Sequence, residues 1–175
     1  MLAMTQYSHV KKNICERMVP YRDWAYFEGF RELLIELRCY MEEQHGENYA
    51  EQTHFPQLKE IKKYNPRLHA LTLYYGGRKF VAIRVGLKHS TRKPSGEDVW
   101  KSIDWGPLDL DFAIELMNYI RDDHMKRDPP LPAGKAEMCM PTPEQLRNDS
   151  MSHLDSKICK YGGYENIARR LQLSY

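Results

Sequence analysis

The chain has 175 residues, of which 42% are hydrophobic and 29% charged, and its formal net charge is +2. This composition is typical of a globular protein that folds around its own hydrophobic core without disulfides or metals. No apolar run approaches the roughly 18 residues of a membrane-spanning helix, so we predict an intracellular protein without a membrane span. The four cysteines form no C-x-x-C pair, which predicts reduced thiols and no metal site.

In chain order, the first predicted element is a long helix. Its apolar residues recur at steps of three and four between Phe27 and Met41, as on one face of an amphipathic helix. A polar linker follows, and a proline is then expected to open a short second helix. The remaining helices of this half are predicted to begin at Pro56 and to span 66–75 and 78–85.

The same order of elements recurs in the second half. There the predicted helices lie around 112–120, from Pro141, over 152–161 and over 164–171. The segments YYGGRKFVAIRVGL and KYGGYENIARRLQL align at an offset of 86 residues, with matching residue character. We therefore predict an all-α fold formed by tandem duplication of a four-helix unit, with the first unit at 1–93 and the second at 94–175. The β-branched KFVAIRV is predicted to be helical because its counterpart ENIARRL is.

In both predicted units, a Gly-Gly pair joins the third helix to the fourth. We expect the first glycine to take the left-handed conformation that ends a helix, and the second to let the chain turn. Two short helices joined in this way form a helix-turn-helix-like corner. Its apolar positions are expected to point inward, and its basic residues are expected on or near the outer face: Arg78, Lys79, Arg84, Arg169 and Arg170.

Positive charge is concentrated in residues 54–93, which contain ten basic residues and one acidic residue, while both flanking segments are net acidic. Like charges at this density repel one another, so the stretch needs a polyanion or an acidic protein surface nearby. The alternative is a basic surface that is solvated and is neutralised by the acidic segments of the same chain. Aromatic residues are interleaved with these cations: Phe55, Tyr64, Tyr74, Tyr75 and Phe80. The candidate binding residues are Lys59, Lys62, Lys63, Arg67, Tyr75, Arg78, Lys79, Arg84, Lys88, Arg169 and Arg170.

Motifs for catalysis are missing from the sequence. It contains no P-loop, no dinucleotide-binding fingerprint and no G-x-S-x-G element. Asp122, Asp123 and His124 are adjacent, but neighbours in sequence do not share a helix face, so they are a poor metal or acid–base group. We predict a protein that is not an enzyme and has no catalytic residues, cofactor, metal or small-molecule substrate.

The order M-P-x-x-E-x-L, Y-G-G, I-A-R-R-L-x-L resembles tandem helical repeats found in plant plastid proteins. It is also similar to the small helical repeats that accompany homing endonucleases and are associated with DNA binding. The second half matches best, at Met140, Pro141, Glu144, Leu146, Gly162, Gly163, Ala168, Arg170 and Leu171. The first half departs from the pattern at Phe55, Ile61 and Val85. The resemblance implies a non-catalytic module of a plastid, although no transit peptide is visible.

Two functions stay open at this point. The first is a nucleic-acid-associated module of an organelle gene-expression machine, such as a transcription complex, which binds DNA or RNA through the basic stretch. The second is a scaffold or accessory subunit of a large assembly that docks by protein–protein contacts, for instance on an acidic protein surface. The charge distribution favours the first slightly. The sequence leaves open whether the two units share one core.

Overall fold

The computed structural model describes residues 24–89, 106–126 and 138–175. The helices within these ranges are α1 (Trp24–His45), a 3-10 helix (Gly46–Glu51), α2 (Leu58–Tyr64), α3 (Pro66–Tyr74), α4 (Arg78–Val85), α5 (Leu110–Lys126), α6 (Pro143–Asn148), α7 (Ser152–Lys160) and α8 (Gly163–Leu171). The described ranges contain no β-strand, so the prediction of an all-α fold is confirmed. The expected unit boundary between residues 93 and 94 lies outside the described residues.

The observed α-helices lie close to their predicted positions, with a correction at the short helices. The segment predicted to be a polar linker contains the 3-10 helix Gly46–Glu51. α2 and α6 begin two residues after Pro56 and Pro141. In α6 the reason is a capping box at Thr142: its side chain accepts a hydrogen bond from the Gln145 backbone N–H, and the Gln145 side chain accepts one from the Thr142 N–H. The KFVAIRV segment is helical, as predicted, and belongs to α4.

Both glycines of each Gly-Gly pair have positive φ. The angles are 99° at Gly76, 87° at Gly77, 98° at Gly162 and 86° at Gly163. Residues that have a Cβ rarely adopt a positive φ, so glycine is the residue that fits at these positions without strain. The first pair lies between α3 and α4, and the second lies between α7 and the first turn of α8.

The C-terminal ends of α4 and α8 have the same backbone conformation. Gly86 follows α4 with φ 73°, and Gln172 follows α8 with φ 56°. The next backbone N–H then reaches back five residues, from Leu87 to Ala82 in the first case and from Leu173 to Ala168 in the second. This is the hydrogen bond of a Schellman motif, which satisfies a carbonyl that the helix end leaves unpaired. Gln172 takes this conformation without being a glycine.

Short extended segments close each half of the molecule in the same way. Lys88, two residues after Gly86, pairs with the segment before α2, and Ser174, two residues after Gln172, pairs with the segment before α6. The four backbone hydrogen bonds are Phe55 N to Lys88 O, Lys88 N to Thr53 O, Met140 N to Ser174 O and Ser174 N to Met138 O, at 2.8–2.9 Å. The chain before α2 is therefore tied to the end of α4, and the chain before α6 to the end of α8.

The two halves share one hydrophobic core. Buried apolar side chains from α1 to α4 and from α5 to α8 form a single contiguous cluster. The long helices α1 and α5 pack against each other, and α4 packs against α8. Burial of this surface is the main favourable contribution to folding. No helix in the described ranges is long and apolar enough to cross a membrane.

Candidate functional site

Three lysines of α2 point away from the core. Ile61 is fully buried, and the rotation of 100° per residue leaves Lys59, Lys62 and Lys63 exposed on the other side of the helix. Among the described residues, neither the Lys59 nor the Lys62 ammonium group has a hydrogen-bond or ion-pair partner. Glu60 is the acidic residue within α2. The charge of this helix is therefore largely uncompensated and faces solvent.

A fourth exposed lysine lies near the start of α2. The backbone of Lys88 is hydrogen-bonded to Thr53 and Phe55, which brings the residue beside the segment that leads into α2. Its side chain is exposed. We call Lys59, Lys62, Lys63 and Lys88 the lysine face. All four were candidates from the sequence.

An exposed aromatic ring borders the lysine face. Of the five aromatics interleaved with the basic residues, Phe55, Tyr75 and Phe80 are buried, whereas Tyr64 and Tyr74 are exposed. The Lys63 ammonium group lies 4.7 Å from the centroid of the Tyr64 ring and donates a hydrogen bond of 3.0 Å to its hydroxyl. Tyr64 was not among the predicted binding residues, and its position immediately after Lys63 was the signal that could have identified it.

Arg67 is exposed, but its charge is already compensated. Its guanidinium forms ion pairs with Glu32 at 2.8 Å and with Glu36 at 3.6 Å, both on α1. The hydrogen bond that Arg67 donates to Glu32 raises the pKa of Arg67. Arg169 is similarly paired with Glu165 at 2.6 Å, one turn away on α8. These two arginines contribute less to binding an anion than their exposure suggests.

Arg78 has a structural contact, unlike the outward position expected for it. It is half-buried, and its Nε and Nη2 atoms donate hydrogen bonds of 2.9 Å to the carbonyl oxygens of Pro56 and Phe55. Burial lowers the pKa of Arg78. The side chain thus fixes the chain just before α2, because it satisfies two carbonyls that no helix pairs. Lys79, the next residue, is partly exposed.

Tyr75 is a buried core residue, so its prediction as a binding residue is wrong. Its hydroxyl donates a hydrogen bond of 2.8 Å to the Tyr26 carbonyl, and its ring meets the Phe30 ring edge-on. Gly29 faces this hydroxyl so closely that a Cβ there would lie 2.2 Å from it. Burial raises the pKa of Tyr75. The ring is covered because α3 packs along α1 at this point.

Arg84 and Arg170 are also buried, at 1% and 0% exposure, and the prediction that they lie on the outer face is wrong. Each arginine reaches the backbone of the other. Arg84 Nε donates to the Arg170 carbonyl at 2.6 Å, and Arg170 Nε donates to the Arg84 carbonyl at 2.8 Å. Arg170 Nη2 also donates to the Gly106 carbonyl at 2.8 Å. This reciprocal exchange joins α4 to α8.

The two buried guanidinium groups differ in how well they are satisfied. The Arg84 guanidinium carbon lies 3.5 Å from the centroid of the Phe30 ring, a cation–π contact. Its Nη1 and Nη2 atoms are buried and have no hydrogen-bond partner among the residues that the structure describes. Burial lowers the pKa of Arg84 to about 10. A sequence signal existed, because Arg84 follows Val81 by three positions and Arg170 follows Ile167 by three, on the apolar side of each helix.

A groove of about 660 Å³ runs along α5 toward the connection between α6 and α7. Acidic side chains line much of it: Asp111, Glu115, Asp122, Asp123 and Asp149. Two of these residues, Asp122 and Asp123, were judged from the sequence to be a poor metal or acid–base group because neighbours do not share a helix face. The groove gives the second half an acidic surface, in contrast to the lysine face of the first half.

Several of these acids are held by internal partners. Asp111 accepts hydrogen bonds from Arg38 and Tyr49, and Glu115 is paired with His153 and Lys157. Burial raises the pKa of the Asp111 carboxyl, but the bonds from Tyr49 and Arg38 outweigh this, so its pKa lies below the ordinary value. Within the described part of the chain, no group of three or more His, Cys, Asp or Glu residues is arranged to hold a metal ion.

Comparisons of the chain with protein-family models, with curated proteins and with solved structures found no match.

Proposed function

We propose that the chain is a non-catalytic helical module that binds nucleic acid through the lysine face, as part of an organelle gene-expression machine. The observation that supports this is the exposure of the four lysines of the lysine face. Within α2, Glu60 is the one acidic residue beside three of these lysines. Lysine ammonium groups bind phosphates as point charges without selecting a base, so the binding would show little sequence preference. The plastid location belongs to the same proposal and rests on the resemblance of the repeats.

The expected salt dependence follows from the number of free cations. Arg84 and Arg170 are buried, and Arg67 is ion-paired, so they do not count toward phosphate contacts. Three to four lysines in contact with phosphates give a log–log slope of roughly −3 for duplex DNA and roughly −2 to −3 for a single strand. Binding is therefore expected to be weak at physiological salt and clear at low salt.

The test is fluorescence anisotropy with labelled DNA over about 50 to 200 mM salt. Changing Lys59, Lys62 and Lys63 together to Gln is expected to flatten the slope by about 2 to 3. The matched control changes Lys126, Arg147 and Lys160 to Gln, which removes the same charge from exposed positions of the second half. Absence of binding at the lowest salt, or an equal loss in the control, would overturn the proposal.

We further propose that the two halves are copies of one four-helix unit, each with a helix-turn-helix-like corner at its Gly-Gly pair. Two features support this. The backbone hydrogen bonds around α4 and α8 recur at offsets of 85–86 residues. The exchange between Arg84 and Arg170 is reciprocal, as in an interface related by a two-fold axis. An experimental structure in which α1–α4 do not superpose on α5–α8 would refute the duplication.

The alternative function is a scaffold or accessory subunit that docks by protein–protein contacts. The acidic groove supports it, because the chain then offers two oppositely charged surfaces to neighbouring subunits. The same anisotropy assay separates the two functions if poly-glutamate competes with the labelled DNA. Competition as strong as that of DNA of equal charge favours an acidic protein surface as the partner, and weaker competition favours nucleic acid.

A further inference from the structure

We infer that the polymer bound by the lysine face is single-stranded nucleic acid and that one base stacks on Tyr64. The inference rests on the proposed function, since it specifies the ligand of the same surface. It combines two observations. The described ranges contain no free helix that could read a duplex groove at this face, and they place an exposed aromatic ring beside the lysines.

Duplex readout would require a helix that projects into the major groove. In the predicted corner that role would fall to α4, but Arg84 is buried against α8 and Arg78 is bonded to the carbonyls before α2. α2 itself is exposed, but its seven residues span only about 10 Å. Its lysines are suited to phosphates, which both duplexes and single strands provide.

Tyr64 supplies the contact that a single strand can use and a duplex cannot. Its side chain is 60% exposed at the C-terminal end of α2, and the Lys63 ammonium group is held 4.7 Å from the ring centroid. An exposed ring beside a cation offers a stacking surface for a base and a charge for the adjoining phosphate. The bases of a duplex are stacked on one another and cannot reach such a ring, whereas those of a single strand can.

The test compares three labelled DNA ligands of about 12 nucleotides at one salt concentration: oligo(dT), a duplex, and an abasic deoxyribose-phosphate strand of the same charge. Wild type is expected to bind oligo(dT) at least about fivefold more tightly than the abasic strand. Tyr64→Ala is expected to remove this difference by weakening oligo(dT) binding alone, and to leave the salt slope unchanged because no charge is lost. Tyr64→Phe, which retains the ring, is expected to keep wild-type affinity.

The matched control is Tyr175→Ala, which removes a tyrosine that is 80% exposed but lies in the second half, stacked on Tyr164. It is expected to leave all three affinities unchanged. If wild type binds oligo(dT) and the abasic strand equally, or if Tyr64→Ala weakens all three ligands alike, the stacking inference is overturned while the polyanion function stands. If wild type binds none of the three ligands, the proposed function itself fails.

Discussion

Replacing Arg84 by methionine is expected to leave the free energy of unfolding within about 1 kcal/mol of wild type, whereas Arg170→Met lowers it by about 3 kcal/mol. The two residues occupy matching positions on α4 and α8, and both are buried. The expected difference arises from their hydrogen bonds. Arg170 donates through Nε and Nη2, while Arg84 donates through Nε and its two Nη atoms have no partner within the described ranges.

The magnitude for Arg84 comes from two opposing contributions. Burial lowers the pKa of Arg84 from its ordinary value to about 10, so the charge costs the folded state about 3 kcal/mol at 1.36 kcal/mol per pKa unit. Methionine removes this cost but also removes the hydrogen bond to the Arg170 carbonyl, which costs about 1 to 3 kcal/mol. The thioether also replaces part of the cation–π contact with Phe30. The contributions nearly cancel.

For Arg170 the balance is unfavourable. Methionine at this position removes the hydrogen bonds to two carbonyl oxygens, the buried one of Arg84 and the partly buried one of Gly106, at about 1 to 3 kcal/mol each. The control is Arg169→Met, at the exposed neighbouring position, which is expected to change stability by less than about 0.5 kcal/mol.

The assay is urea unfolding followed by far-ultraviolet circular dichroism at neutral pH. The slope of free energy against urea should be the same for all variants, and the transition should be single because both halves share one core. An Arg84→Met variant that is destabilised as strongly as Arg170→Met would refute the reasoning. It would mean that the charge of Arg84 is not a cost to the folded protein.

Gly86→Ala is expected to destabilise the protein more than Gly77→Ala: both have positive φ, but a Cβ at Gly86 would lie 2.2 Å from a backbone carbonyl oxygen, while Gly77 faces open space. Urea unfolding checks this, and equal losses would contradict it. The pKa of Asp111 is lowered in the folded protein by Tyr49 and Arg38, against the effect of its burial. Its stabilising contribution is therefore full well above the ordinary value of 3.8 and is lost as pH falls through the lowered pKa. Asp111→Asn should be less stable than wild type at neutral pH and approach it at low pH. A constant difference across that range would contradict this.

The sequence determined the helices of the described part of the chain. Apolar residues at steps of three and four placed the long helices, and prolines and glycines marked the ends of the short ones. The β-branched KFVAIRV segment was assigned correctly because its counterpart ENIARRL has a helical pattern. These signals are local, since they depend on backbone conformation and on the faces of single helices.

Only the tertiary structure decided which basic residues are accessible. A charged residue is ordinarily assigned to solvent, but Arg84 and Arg170 lie on helix faces that another helix, 86 residues away in sequence, covers. Their long side chains can be buried because their donors reach backbone carbonyls of the opposite half. The lysines of α2 are exposed because no helix in the described part of the chain packs over them. The shared core, and with it the division between structural arginines and accessible lysines, depends on long-range packing that local sequence patterns do not encode.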